Sequence, residues 1–206
     1  AGDVNGDGYS DVMASAIKFD NGETDEGKVF LYYGSSSGLS ATPNWTSESN
    51  NENAWFGYQL KTAGDVNGDG YSDVIIGAEG FSNGETLEGK AFVYNGSAAG
   101  LSQQPNWTYE SNQPNANLGY GVSSAGDVNG DGFSDILVGA MQYDNGQSDE
   151  GIVYLFNGSS SGLSVSPNWS YEGNQVTANF GSSVSNAGDV NGDGYDDVII
   201  GAWAYT

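Results

Sequence analysis

The residues with the clearest chemistry are those of a nine-residue pattern, D-x-N-x-D-G-x-x-D, that occurs four times. Its first copy holds Asp3, Asn5, Asp7, Gly8 and Asp11. A spacing of two sends alternate side chains to one side of a curled loop, so their oxygens converge, and hard oxygen donors in that number suit Ca²⁺. By analogy with the EF-hand loop, positions 1, 3 and 5 offer side-chain oxygens. Gly at position 6 permits the sharp turn, position 7 offers its carbonyl, here that of Tyr9, and Asp11 at position 9 is the expected bidentate ligand. The Glu found at position 12 of an EF-hand is missing, and the chain continues into a strand rather than a helix.

The same roles fall on Asp65, Asn67, Asp69, Tyr71 and Asp73, on Asp127, Asn129, Asp131, Phe133 and Asp135, and on Asp189, Asn191, Asp193, Tyr195 and Asp197. Three carboxylates in each loop repel one another without a counter-ion, which predicts that metal binding is coupled to folding. One Ca²⁺ per loop would move the formal charge of -23 to about -15. Asp, Asn and Gly also build metal-free turns through Asx bonds. A complete ligand set repeated at constant spacing favours the metal. Because every repeat carries one, the ions read as structural staples for the hairpin that holds them, not as catalytic metals.

The elements that position these loops follow from a period of 62 residues: Ala1–Val12 and Ala63–Val74 are identical, and near copies begin at Ala125 and Ala187. One unit reads as four short strands, about Phe56 to Thr62, Asp73 to Phe81, Lys90 to Asn95 and Asn106 to Glu110. The second, Val74-Ile75-Ile76-Gly77-Ala78, is apolar without alternation, as in a strand covered on both faces. The fourth alternates, with Trp107 and Tyr109 on one side and Thr108 and Glu110 on the other, which suits an outer strand. Asn21-Gly22, Asn83-Gly84 and Asn145-Gly146 read as hairpin signals. No segment has a helical period. Serial four-stranded units predict an all-β protein of β-propeller blades, each of four antiparallel strands, in preference to a β-solenoid. The boundaries expected are a partial blade over 1–49, complete repeats over 50–111 and 112–173, and two strands of a further blade over 174–206. About three blades' worth of chain gives an incomplete ring, or one assembled from several copies.

Composition narrows the partners. With 27 acidic residues against 4 basic ones, the chain is a poor ligand for nucleic acid or an anionic membrane. Having neither His nor Cys, it builds no Ser-His-Asp triad, Cys-His dyad or zinc site of the usual ligands. No apolar run approaches 18 residues, and a chain opening on Ala1 reads as a mature or excised piece. The loop sequence GDVNGDG is no phosphate loop, since it lacks Lys and carries like charge.

Phe56-Gly57 and Phe180-Gly181, the calcium loops, and the Gly-Ala steps Gly77-Ala78, Gly139-Ala140 and Gly201-Ala202 together resemble the FG-GAP repeat family, the blades of the integrin α-subunit propeller and of many bacterial secreted proteins. Ala14-Ser15-Ala16, Leu118, and Glu79, Met141 or Trp203 in place of Pro depart from that pattern and fit a bacterial-type variant. The resemblance implies a secreted or surface-exposed, calcium-loaded propeller used for adhesion or for recognising protein or carbohydrate, without catalysis of its own. Rival readings are a structural subunit of a surface filament or array and an accessory domain of a polysaccharide-degrading enzyme. Association with further blades or with other copies is expected from open blade edges.

Smaller features have plain readings. Trp45, Trp107 and Trp169 pack blade on blade rather than form sugar platforms. The triplets at Asn44, Asn106 and Asn168 match N-glycosylation sequons, or are simple strand residues. The acidic turns Asp20–Glu26 and Asp144–Glu150 read as solvated hairpins, with a second cation as the alternative.

Overall fold

A computed structural model describes residues 1–206. It holds thirteen strands, no helix, and four antiparallel sheets laid side by side without closing into a ring. The first sheet orders β1 (Val12–Ala16), β2 (Lys28–Tyr32) and β3 (Trp45–Glu48). The second is β4 (Gln59–Gly64), β5 (Asp73–Ala78), β6 (Lys90–Tyr94) and β7 (Trp107–Glu110). The third repeats it with β8 (Leu118–Gly126), β9 (Asp135–Ala140), β10 (Ile152–Phe156) and β11 (Trp169–Glu172). The last is the pair β12 (Phe180–Gly188) and β13 (Asp197–Ala202). Each sheet is a meander, as expected of propeller blades, with β8 lying against both β4 and β12.

Burial follows the strand order. Every residue of β5 and β9 is buried, which is why both read as unbroken apolar runs. The cores lie between sheets rather than within them. Ile75 of β5 joins Val93, Leu118 and Val138 in one cluster, and Val29 and Leu31 of β2 join Val74, Ile76 and Phe92 in another. Phe56 is buried edge-on against Phe92 at 5.2 Å between ring centroids.

The Phe-Gly and Gly-Ala glycines allow sheets to touch backbone to backbone. A Cβ on Gly77 would collide with the carbonyl of Gly119, and one on Gly139 with that of Gly181. Glycine, without a Cβ, lets the two backbones approach this closely. The first repeat has Ser15 at the corresponding place, where it meets Gly57.

Two expectations are corrected. The Asn-Gly pairs do not form two-residue hairpins: β5 ends at Ala78 and β6 begins at Lys90. Of the pair Asn83-Gly84 only the glycine takes positive φ, at 98°, whereas a type I′ turn needs it at both residues. The acidic turns are not wholly solvated either. Glu26, Glu88 and Glu150, which close them, are buried. Backbone amides hold two of these carboxylates, Asn83 N–H donating to Glu88 Oε1 at 2.6 Å and Asn145 N–H to Glu150 Oε1 at 2.7 Å, whereas both oxygens of Glu26 are buried without a partner.

Candidate metal sites

The second, third and fourth acidic loops join β4 to β5, β8 to β9 and β12 to β13, the first leads into β1, and all four are wound around their own aspartates. In the second copy Asp65 Oδ1 accepts the amides of Gly68 at 2.7 Å and Asp69 at 3.1 Å, while Oδ2 accepts that of Gly70 at 2.8 Å. Asn67 Oδ1 accepts the Asp69 amide at 3.0 Å, and Asp69 Oδ1 accepts the Tyr71 amide at 3.0 Å. Asp3, Asp127 and Asp189 repeat the first arrangement within about 0.1 Å. Asn5, Asn129 and Asn191 take the amides of Asp7, Asp131 and Asp193, which in turn take those of Tyr9, Phe133 and Tyr195. The positive φ of Gly68 (73°) and Gly70 (88°) lets the chain curl tightly enough to aim these amides inward.

The last aspartate of each pattern works differently. Asp73 is buried, with Oδ2 held by the Val66 amide at 2.8 Å and Oδ1 by the Gly96 amide at 2.9 Å, so it ties the loop to the end of β6. Asp11 and Asp135 do the same through Gly34 and Gly158, and Asp197 holds Val190. Burial pushes the Asp73 carboxyl up to about 7 and that of Asp135 to about 6, with the neighbouring loop aspartates adding to the rise. Asp189, fully exposed, is instead lowered, first by the Gly194 amide.

The carboxylates do not gather into a ready-made cage of three acidic groups. Their oxygens are turned toward the amides just described. The donor set nevertheless fits a hard cation. A carboxylate oxygen has two lone pairs and a side-chain amide oxygen likewise. Asp73 and Asp69 give up one on each oxygen, Asn67 gives up one, and Asp65 keeps one on Oδ2.

Spacing alone did not disclose that the loops join one sheet to the next. The Ser72 amide donates to the Asp3 carbonyl at 2.9 Å, Ser134 to Asp65 at 2.9 Å, and Asp196 to Asp127 at 3.0 Å. The aromatic residue at position 7 lies on the glycine of the preceding loop: Tyr71 on Gly6, Phe133 on Gly68 and Tyr195 on Gly130. The tryptophans form another seam, with Trp45 and Trp107 buried and their indoles donating to the carbonyls of Ser102 and Ser164 at 2.9 Å. Packing is thus their role in the first two copies, while Trp169 stands 42% exposed. Asn44, Asn106 and Asn168 each close the adjacent hairpin by accepting the amides of Tyr33, Asn95 and Asn157.

Comparison with known proteins agrees with this architecture. The FG-GAP repeat profile matches residues 56–94, 118–156 and 180–205. Integrin alpha-V of Gallus gallus is 33% identical over 211 residues, covering 98% of this chain and 19% of the integrin. Integrin alpha-7 of Homo sapiens is 37% identical over 158 residues, 73% of this chain and 12% of the integrin, and integrin alpha-PS2 of Drosophila melanogaster 34% over 163 residues, again 73% and 12%. The chain thus spans less than a fifth of the length of these relatives. A crystal structure of the rhamnogalacturonan lyase YesW superimposes with a TM-score of 0.59 at 17% identity, over 97% of this chain and 39% of the lyase, a likeness of fold. The chain belongs to the FG-GAP repeat family, and its sheets are blades of an integrin-like β-propeller. No helix is long and apolar enough to cross a membrane.

Proposed function

We propose that this chain is an extracellular propeller segment for adhesion or ligand recognition, stiffened by one Ca²⁺ in each acidic loop and without catalysis of its own. The observation that carries this reading is the ladder from loop to loop, in which the carbonyl of each first aspartate accepts an amide from the next loop. An ion held at these loops would neutralise carboxylates at the seam between blades as well as within one hairpin. Asp65, Asn67, Asp69, the Tyr71 carbonyl and Asp73 are the ligands in the second blade, and their counterparts serve in the others. The ion supplies charge compensation there, and the protein supplies oxygens already fixed by backbone amides. Kinship with integrin alpha subunits supports cell-surface placement and a protein partner.

Calcium titration by calorimetry tests this reading. The expected stoichiometry is one ion per loop, falling by one in Asp69→Ala/Asp73→Ala. A filled site at a hundred times its Kd adds about 2.7 kcal/mol, so chelation should lower stability by roughly 10 kcal/mol over four loops. Unchanged stoichiometry in the double variant, or a melting temperature indifferent to chelator, would overturn it.

A second reading, self-association into an array, is favoured by the exposed apolar face of β13. Ile199 is 63% exposed, while its equivalents Ile75 and Leu137 are fully buried.

A further inference from the structure

The turns Asp20–Glu26, Ser82–Glu88 and Asp144–Glu150 join β1 to β2, β5 to β6 and β9 to β10, and each ends on a glutamate that is at most 1% exposed. The backbone is pinned alike in all three. The carbonyls of Glu26, Glu88 and Glu150 accept the amides of Phe56, Leu118 and Phe180 at 3.1, 3.1 and 3.0 Å, and the hydroxyls of Ser49 and Ser111 donate to the first two at 2.7 Å.

Within this shared frame the carboxylates are served differently. Glu150 has both oxygens engaged, Oε1 by the amides of Asn145 and Gln147 and Oε2 by that of Asn174. Glu88 has the Asn83 amide on Oε1 and no partner on Oε2. Glu26 has no partner on either oxygen, although its side chain is wholly withdrawn from solvent. A buried carboxylate is strongly disfavoured unless it is hydrogen-bonded, paired or bound to a metal. No side chain of this protein supplies the missing charge. There is no Arg or His, and of the four lysines Lys28 and Lys90 are paired with Glu48 and Glu110, Lys18 lies on Asp25, and Lys61 stands on β4.

The mouth of the same turn is acidic. Asp20 Oδ1 accepts the Asp25 amide at 2.7 Å, which holds a second carboxylate against the residue that precedes Glu26. The second turn has Ser82 in that place, its hydroxyl taking the Leu87 amide at 2.9 Å. The third has Asp144 on the Asp149 amide at 2.6 Å, but there Glu150 is already satisfied. Only the first turn combines an unserved buried glutamate with a carboxylate at its mouth. From this combination we infer that the turn between β1 and β2 holds a divalent cation, with Glu26 as its inner ligand and Asp20 as its outer one, and with backbone or water oxygens completing the shell. A divalent ion answers both carboxylates, whereas a proton answers one. This ion is additional to those of the acidic loops and does not depend on them.

Native mass spectrometry of the chain equilibrated with Ca²⁺ counts its ions. Glu26→Gln should lower the count by one, and Glu150→Gln, at a carboxylate held by amides, should leave it unchanged. In chelator Glu26→Gln should melt above the parent chain, because an uncompensated buried charge is gone, and it should gain less from added calcium. Asp20→Asn, at an exposed position, keeps the bond to the Asp25 amide through its remaining oxygen and should weaken that one ion roughly tenfold or more in calorimetry. An unchanged count in Glu26→Gln would mean that a proton or water serves the carboxylate and overturns the proposal. An equal fall in Glu150→Gln, or unchanged affinity in Asp20→Asn, overturns it as well. Should Glu26→Gln fail to fold, the Asp20→Asn titration decides. Asp69→Ala/Asp73→Ala reads the loops separately, so failure of the turn site and failure of the loop sites are distinguishable.

Discussion

The strands β5 and β13 have the same six residues, Asp-Val-Ile-Ile-Gly-Ala, and opposite surroundings. Every position of β5 is buried, whereas β13 has none fully buried and exposes Ile199 to 63%. Both pair with a preceding strand in the same register, Thr62 to Val74 and Asn186 to Val198. What differs is the neighbourhood: β5 lies between two paired strands, β4 and β6, and against the next blade's β8, whereas β13 pairs with β12 alone and packs only Val198 and Ile200 on the preceding blade. In a repeat protein the stability of a segment is a property of its interfaces more than of its own residues.

Replacing the same side chain in the two strands tests that statement most strongly. Ile75→Ala removes a fully buried group from the cluster containing Val93, Leu118 and Val138 and should cost about 2–5 kcal/mol. Urea unfolding of calcium-saturated protein measures it. A cost below about 1 kcal/mol would mean that the blades separate easily in solution, and the comparison would fail on its buried side.

Much of this architecture was legible in the sequence, and what was missed has a physical cause. The 62-residue period and the unbroken run at Val74–Ala78 foretold meander sheets with a covered second strand, because both are local properties. The ligand pattern Asp65-Asn67-Asp69 foretold a curled acidic loop but not its contacts, since the Asp65–Ser134 bond joins residues 69 apart in the chain. Glu88 reads as a solvated turn residue in any window around it. Only the folded connection brings the Asn83 amide onto its carboxylate and gives one of its buried oxygens a partner. The contrast between β5 and β13 was invisible for the simplest reason, as identical residues cannot announce different neighbours.

The residue after each copy of the strand sharpens the comparison. Glu79 follows β5 and is buried, whereas Trp203 follows β13 and is 73% exposed, the reverse of their polarities. Burial alone raises the Glu79 carboxyl from its ordinary 4.5 to about 7. Because the folded value lies above the unfolded one, the protonated carboxyl's contribution is fully present below about pH 4.5 and lost as pH rises through about 7. Glu79→Gln keeps the shape and removes the titration. It should therefore stabilise the protein by roughly 2–3 kcal/mol at pH 8 and by under about 1 kcal/mol at pH 5. A gain equal at both pH values would show that the carboxyl is hydrated in solution.

The smallest expected effect is the most informative about the sheet of β12 and β13. Ile199→Ala deletes the same atoms as Ile75→Ala from a side chain that is already mostly in water, so at low micromolar concentration it should change stability by no more than about 0.5 kcal/mol. The measurement is repeated at a hundredfold higher concentration. If β13 remains uncovered, the value stays small, because an exposed isoleucine has little transfer energy left to lose. If copies of the chain meet through this face, the cost of Ile199→Ala rises with concentration toward that of Ile75→Ala, while the cost of Ile75→Ala itself stays constant. The two variants then become alike when their surroundings do, which is the outcome the shared sequence demands once the same surfaces cover both strands.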